Sequence, residues 1–269
     1  MANTEKRHVL GISGGKDSSA LAIYMRDKVP QMEYFFCDTG KELKETYEYI
    51  DKLEVYLGKP IARLLPERDF DHWLQIFGNY LPSSRMRWCT RKLKIEPFEN
   101  FVGQDSVISY VGIRADEDRE GYISTKPNIE AVFPFREDNL RINDIYRILE
   151  DSGVGIPKYY EWRSRSGCYF CFFQRKAEWA GLLERHPDAF AEAMEYEKLD
   201  TITGQRFTWN QRESLEELSR PDRLQEIWEK HEKALANAPK TRPGDSLFTI
   251  LSSTFDEEDD TEPCTICSL

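Results

Sequence analysis

What this sequence lacks narrows it first. No run of residues is long and apolar enough to span a bilayer. The start, Met1-Ala2-Asn3-Thr4-Glu5-Lys6-Arg7, is charged and has none of the apolar stretch of a secretory leader. Both absences point to a cytoplasmic chain with no membrane partner. Positive charge is also short, with 37 Lys and Arg against 48 Asp and Glu for a net of −11. A surface of that sign repels a polyanion, which excludes a general nucleic-acid coat and leaves room for a local basic groove or a partner that holds the nucleic acid. Cysteine is sparse, six residues in 269. In a reducing compartment such cysteines serve as metal ligands or reactive thiols sooner than as a disulfide framework.

What is present begins with Val9-Leu10-Gly11-Ile12-Ser13-Gly14-Gly15-Lys16-Asp17-Ser18-Ser19-Ala20-Leu21. An apolar run enters a glycine pair, then a lysine, an aspartate and two serines, then apolar residues at helical spacing. The pattern predicts a strand, a tight loop and a helix start. Glycines let the loop N–H groups approach an anion, and the helix turns its positive end to the same place. An ordinary strand-to-helix turn uses the same residues. The crowding of Lys16, Asp17 and three hydroxyls around one loop favours phosphate.

Downstream, Met32 to Cys37 predicts a second strand ending at Asp38-Thr39-Gly40, Leu43 to Leu57 a helix, and Pro60 to Leu65 a third strand. Phe70 to Tyr80 reads as an aromatic helix and Val107 to Ile113 as a strong strand delivering Arg114; Ala131 to Phe135 closes the sheet region and Ile142 to Leu149 makes a helix. Strands alternating with helices imply an α/β fold, a parallel twisted sheet with helices on both faces and ligands at the carboxyl ends of the strands. Helices are expected over Lys176 to Leu183, Pro187 to Leu199 and Leu215 to Leu235, as a helical C-terminal region. The expected division is a nucleotide-binding domain over 1–165, helices over 166–240, and a linker with an acidic tail over 241–269.

Ser13-Gly14-Gly15-Lys16-Asp17-Ser18 resembles the S-G-G-x-D-S loop of the PP-loop ATP pyrophosphatases, which cut ATP between its α- and β-phosphates. It differs from the Walker loop in glycine spacing and in the order of lysine and hydroxyl. Three further segments resemble the phosphoadenylyl-sulfate reductase branch of that adenine nucleotide alpha-hydrolase-like superfamily. They are Asp38-Thr39-Gly40 with Glu45-Thr46, Cys89-Thr90 with Lys94 and Pro97, and Gly112 with Arg114 and Glu117. The resemblance implies that Ser13, Gly14, Gly15, Lys16, Asp17, Ser18, Asp38, Thr39, Gly40 and Arg114 hold ATP. It implies that Lys16, Asp17, Cys89 and Arg114 act in catalysis, with Mg²⁺ touching Asp17. Arg85, Arg87, Arg91, Lys92 and Lys94 form the densest basic run of the chain, a phosphate groove with Trp88 as a stacking face or a solvated helix surface.

Cys168-x-x-Cys171 after Gly167, and Cys264-x-x-Cys267 at the end, bring thiols together in pairs suited to zinc, an iron–sulfur cluster or redox chemistry. Cys37 reads as a small buried hydrophobe. The reductase resemblance implies a [4Fe–4S] cluster on Cys89, Cys168 and Cys171, with an open iron or with Cys264 or Cys267 as fourth ligand. Zn²⁺ on the two pairs is the alternative. Arg87 or Arg163 is expected to lower a cysteine pKa.

A complete loop favours an enzyme that adenylylates its own substrate, since sulfonucleotide reductases carry a degenerate one. The combination looks most like the DNA phosphorothioation sulfurtransferases of phage defence, which work with a cysteine desulfurase. DNA is then the substrate, directly or through partner proteins. The alternatives are a phosphoadenylyl-sulfate or adenylyl-sulfate reductase, a tRNA-thiolating enzyme, and a non-catalytic ATP-binding regulator.

Overall fold

Alternate residues of the central strands face opposite sides of one sheet, and both sides are apolar. In the computed structural model, which describes residues 6–118, 124, 126–199, 206–210 and 213–237, Leu10, Tyr34 and Phe36 pack on one face while Val9, Phe35 and Cys37 pack on the other. Strands apolar on both faces belong inside a layered parallel sheet. The strands are β1 (Arg7–Gly11), β2 (Glu33–Cys37), β3 (Ile61–Leu64), β4 (Val107–Tyr110) and β5 (Ile129–Val132). All pair in parallel, in the order β3-β2-β1-β4-β5. The chain begins at the centre, runs outward to β3, crosses back and runs outward to β5. The switch of direction falls between β1 and β4, where their carboxyl ends open a crevice.

On one face lie α1 (Lys16–Met25), α2 (Lys44–Leu57) and α7 (Ile142–Asp151), sharing a core of Leu21, Ile50, Leu53, Ile145 and Leu149 with the sheet. The other face is covered by a helical run that the sequence left as one of two alternatives, α4 (Trp88–Thr90), a π-helical stretch (Arg91–Ile95) and α5 (Glu96–Val102). Phe98 of α5 stacks on Phe35 with ring centres 4.9 Å apart. Pro97 explains the wide turn. It has no N–H to donate, and its ring presses on the carbonyl four residues back, so the turn ahead of it expands. Between β5 and α7 lies a single turn, α6 (Pro134–Glu137).

A second core sits beside the sheet. It joins α3 (Phe70–Ile76) and Trp88 to α8 (Lys176–Arg185), α9 (Pro187–Tyr196), α10 (Leu215–Leu218) and α11 (Pro221–Asn237). Aromatic rings fill it: Phe170 stacks on Trp209 at 5.0 Å and tilts against Phe70 at 4.5 Å. The single helix expected from Leu215 to Leu235 is two, because Pro221 opens a new helix and cannot lie inside one. The helix expected to reach Leu199 stops at Tyr196, and Lys198–Leu199 (β6) pairs antiparallel with Arg206–Phe207 (β7). Among the described residues no helix is long and apolar enough to cross a membrane.

Candidate nucleotide site and cysteine pocket

β1 ends at Gly11 and α1 begins at Lys16, so the loop Ser13 to Gly15 lies at the crevice between β1 and β4. Gly14 has φ +75°, and a Cβ there would strike Thr46 at 2.7 Å, so glycine is required. Ser18 ties the loop back on itself: its hydroxyl accepts the N–H of Ser13 at 3.1 Å and donates to the carbonyl of Gly15 at 3.2 Å.

Charge is concentrated on one aspartate. The Lys16 ammonium donates to one carboxylate oxygen of Asp17 at 2.8 Å, and the Arg114 guanidinium to the other at 2.7 Å. Burial alone would raise the Asp17 carboxyl, but the two cations outweigh it and hold it down to about 2. Burial would likewise lower Lys16, and Asp17 reverses the sign. Arg114 is further held by Asp116 at 2.9 Å and Glu117 at 2.9 Å. The loop, Lys16, Asp17 and Arg114 thus stand together as expected. Each oxygen of Asp17 already accepts from one cation, so a Mg²⁺ contact there would share the carboxylate with Lys16 and Arg114. Asp38 caps its own turn, accepting the N–H of Gly40 at 2.9 Å and the Tyr47 hydroxyl at 2.7 Å. Thr39 turns the other way, toward the cysteines.

Three contacts on the loop come from a segment that sequence reasoning left out. The Tyr160 hydroxyl accepts the N–H of Lys16 at 3.1 Å, the Tyr159 hydroxyl donates to the carbonyl of Gly14 at 2.7 Å, and Ser166 reaches Ser13 at 3.2 Å. A Cβ on Gly15 would lie 2.7 Å from the Ser166 hydroxyl, so the second glycine makes room for this contact. Nothing local in the sequence places Tyr159, Tyr160 or Ser166 beside a loop about 145 residues earlier.

The same segment carries the first cysteine pair. Arg163, 2% exposed, donates to the carbonyls of Gly167 at 3.0 Å and Cys168 at 2.7 Å and so shapes the turn. Cys168 and Cys171 line a pocket with Cys89, Thr39, Lys94 and the rings of Phe170, Phe172 and Phe173; it encloses about 550 Å³ including its open mouth. The Thr39 hydroxyl lies 3.2 Å from Cys168 Sγ, and Cys168 donates to Glu42 at 3.8 Å.

Several expectations change here. Burial first, then the Glu42 charge, push the Cys168 thiol well above its ordinary pKa, the reverse of the lowering expected from Arg87 or Arg163. Trp88 is no stacking face: it is buried, stacked on Phe77 at 5.3 Å, with its indole N–H donating to the carbonyl of Tyr80 at 3.0 Å. Arg91 and Lys92 are held by Glu96 and Glu99, which removes them from the phosphate groove. Cys37 is buried, as expected, and burial pushes its thiol up to about 12. Cys89, Cys168 and Cys171 share a pocket, but among the described residues no three His, Cys, Asp or Glu side chains gather as a metal site. With Cys168 held by a hydroxyl and a carboxylate, the arrangement does not fit the cluster ligand set. Cys264, Cys267 and the acidic tail lie outside the described residues.

Comparison with known proteins agrees with the parallel-sheet fold. A phosphoadenylyl-sulfate reductase from Candida auris, in complex with phosphate, superposes with a TM-score of 0.51 at 14% identity over 62% of this chain and 84% of that one. Two uncharacterised proteins of Methanocaldococcus jannaschii are 27% and 31% identical over 66% and 62% of this chain. The chain spans 44% and 36% of their lengths. An uncharacterised 37.8 kDa protein of Escherichia phage 186 is 25% identical across 97% of this chain and 94% of its own. The tRNA-specific 2-thiouridylase MnmA of Buchnera aphidicola is 23% identical over 41% of this chain and 34% of its own. Residues 7–171, from the first residue of β1 to the second cysteine of the pair, match the phosphoadenosine phosphosulfate reductase domain, and the chain belongs to that family.

Proposed function

We propose that this chain is an ATP pyrophosphatase that adenylylates a nucleic-acid oxygen and exchanges it for sulfur, with a DNA backbone phosphate as the acceptor. One observation carries the reading. A complete phosphate loop, with Lys16, Asp17 and Arg114 at its edge, is joined through Ser166, the residue before Gly167 of the pocket lining, to a pocket lined by three cysteines.

An acceptor oxygen attacks the α-phosphorus, the bond to the β-phosphate breaks, and pyrophosphate leaves. Loop N–H groups, Lys16 and Arg114 stabilise the charge that grows on the departing group. The acceptor oxygen now belongs to AMP, a better leaving group. Sulfur carried as a persulfide from a cysteine desulfurase attacks the acceptor phosphorus and AMP departs. A second pocket thiol then cleaves the sulfur–sulfur bond, forming a disulfide that an external dithiol reduces.

The 2-thiouridylase relative favours tRNA as the second acceptor to test. Purified protein with magnesium and ATP should release AMP and pyrophosphate, and Asp17→Ala should stop it; release of ADP and orthophosphate would overturn the assignment. Adding a persulfide donor with DNA or tRNA then identifies the acceptor.

A further inference from the structure

Hydroxyls from a distant part of the chain wall the phosphate loop. Gly15, the residue ahead of α1, has no side chain with which to cap that helix, and the Tyr160 hydroxyl accepts the N–H of Lys16 at 3.1 Å instead. The centre of the same ring stands 5.7 Å from the Lys16 ammonium, so one tyrosine meets the lysine at its backbone and at its charge. Stacking on Tyr159, with ring centres 4.9 Å apart, fixes the phenol. Ser166 donates to the Ser13 hydroxyl at 3.2 Å, and Ser13 accepts the N–H of Gly15 at 3.4 Å. Tyr160 and Ser166 are both buried.

The neighbouring tyrosines touch the loop in opposite senses. Tyr159 donates to a carbonyl, that of Gly14, and a carbonyl oxygen repels an anion. Tyr160 and Ser166 stand where the loop offers its N–H groups. A hydroxyl changes from acceptor to donor by turning about its C–O bond. A phosphate oxygen arriving at the N–H of Lys16 is a charged acceptor, and the bond it accepts is roughly twice as strong as one between neutral groups. The N–H passes to the phosphate, and the phenol turns to donate to the same oxygen.

We propose that Tyr160 and Ser166 are phosphate-binding residues, whose hydroxyls donate to oxygens of the triphosphate held by the loop from Ser13 to Ser18. The proposal rests on the phosphate-loop reading above and extends the site to residues outside the motif. Ser166 runs on into Gly167 and Cys168 of the pocket lining, so the anion is gripped by the segment that carries the first cysteine pair.

Calorimetric titration of the full chain with inorganic pyrophosphate tests this without any hydrolysis to follow. Tyr160→Phe and Ser166→Ala should each weaken binding about tenfold, the size of one hydrogen bond to a charged group. Tyr159→Phe loses a contact on the same loop but on its carbonyl side, and should weaken binding by no more than about threefold. All three variants give up one loop contact, and urea unfolding of each without ligand measures what that costs the fold. Wild-type or tighter binding by Tyr160→Phe would mean that the phenol only competes with the anion, and the proposal is overturned. Equal losses in Tyr160→Phe and Tyr159→Phe overturn it too, since they report a loosened loop. Binding lost in Lys16→Ala but kept in Tyr160→Phe and Ser166→Ala removes this proposal and leaves the phosphate loop standing. If the unsubstituted chain does not bind pyrophosphate, the phosphate-loop reading falls and takes the proposal with it.

Discussion

The guanidinium of Arg114 donates to the carboxylate of Asp17 at 2.7 Å, joining the end of the fourth strand to the first turn of the first helix. That bond places a cation at the phosphate loop and neutralises it in the same stroke. Asp17 also holds Lys16, so one carboxylate restrains two of the charges a triphosphate would use. Asp17→Asn should release both. Pyrophosphate should then bind about tenfold more tightly, consistent with the loss of one nearby negative charge, while release of AMP and pyrophosphate from ATP falls below detection. Calorimetric titration with pyrophosphate checks the first outcome. Weaker binding would mean that Asp17 orients the cations more than it competes with the ligand. The folded carboxyl titrates at about 2, below its unfolded value of about 3.9, so its support for the fold is complete above the unfolded value. That support is lost as pH falls through the folded value, and between pH 5 and 8 no ionisation of Asp17 should appear in the binding profile.

The phosphate loop and the cysteine pocket are held by one segment, and they should therefore sense each other. Tyr159, Tyr160 and Ser166 touch the loop, and Arg163 fixes the carbonyls of Gly167 and Cys168. Nucleotide in the loop should slow alkylation of the Cys168 thiol. Alkylation should in turn weaken nucleotide binding, since coupling between two sites runs both ways, while the factor by which nucleotide slows alkylation is a ratio of rates. In the double variant Tyr160→Phe, Ser166→Ala the factor should shrink toward one. If the double variant keeps the full protection, nucleotide simply covers the pocket and the segment transmits nothing.

Much of this arrangement was legible in the sequence, for reasons particular to each part. Continuous apolar runs and glycine placement announced β1, β2 and the loop, because short buried strands and backbone turns are local properties. Arg114 could be placed at a strand end because it follows a strong apolar run, and the resemblance to the reductase branch implied its place at the nucleotide. The helix over residues 88–102 was left open in the sequence, where its basic residues read either as a phosphate groove or as a solvated helix surface. Its partners are Glu96 and Glu99 on the same helix, and the buried stacking of Trp88 on Phe77 is decided by a core assembled from distant segments. Tyr159, Tyr160 and Ser166 could not be found at all from spacing. Their role comes from a contact between segments more than a hundred residues apart.

The protonation of Cys168 depends on Glu42, a buried carboxyl that accepts from both Thr39 and the thiol. Burial raises Glu42 itself above the ordinary carboxylate range, against the pull of Lys94 and Arg163. The negative charge it carries when ionised raises the thiol in turn. Replacing it by glutamine removes that charge at nearly constant shape. Glu42→Gln should shift the pH profile of Cys168 alkylation to lower pH and speed the reaction at neutral pH several-fold. Mass spectrometry of the peptide carrying Cys168 and Cys171 reads the site directly. An unchanged or higher profile would mean that burial alone sets the thiol and that Glu42 serves only to hold Thr39.

Gly112 shows how closely the fourth strand presses on the nucleotide loop. It lies just beyond β4, and a Cβ added there would stand 3.1 Å from the carbonyl oxygen of Asp17 and 3.4 Å from the N–H of Ser18. Both are backbone atoms in the first turn of α1, so relief requires moving the helix start rather than turning a side chain. Overpacking of this kind costs about 1–3 kcal/mol. Gly112→Ala should lose stability in that range by urea unfolding. It should also weaken pyrophosphate binding, because the displaced turn carries Lys16 and the N–H groups that face the anion. The two readouts separate the roles of the contact. A drop in stability with pyrophosphate affinity intact would mean that the glycine admits the helix but does not set the geometry of the site. Loss of affinity with little change in stability would mean that the strand aligns the loop for its ligand.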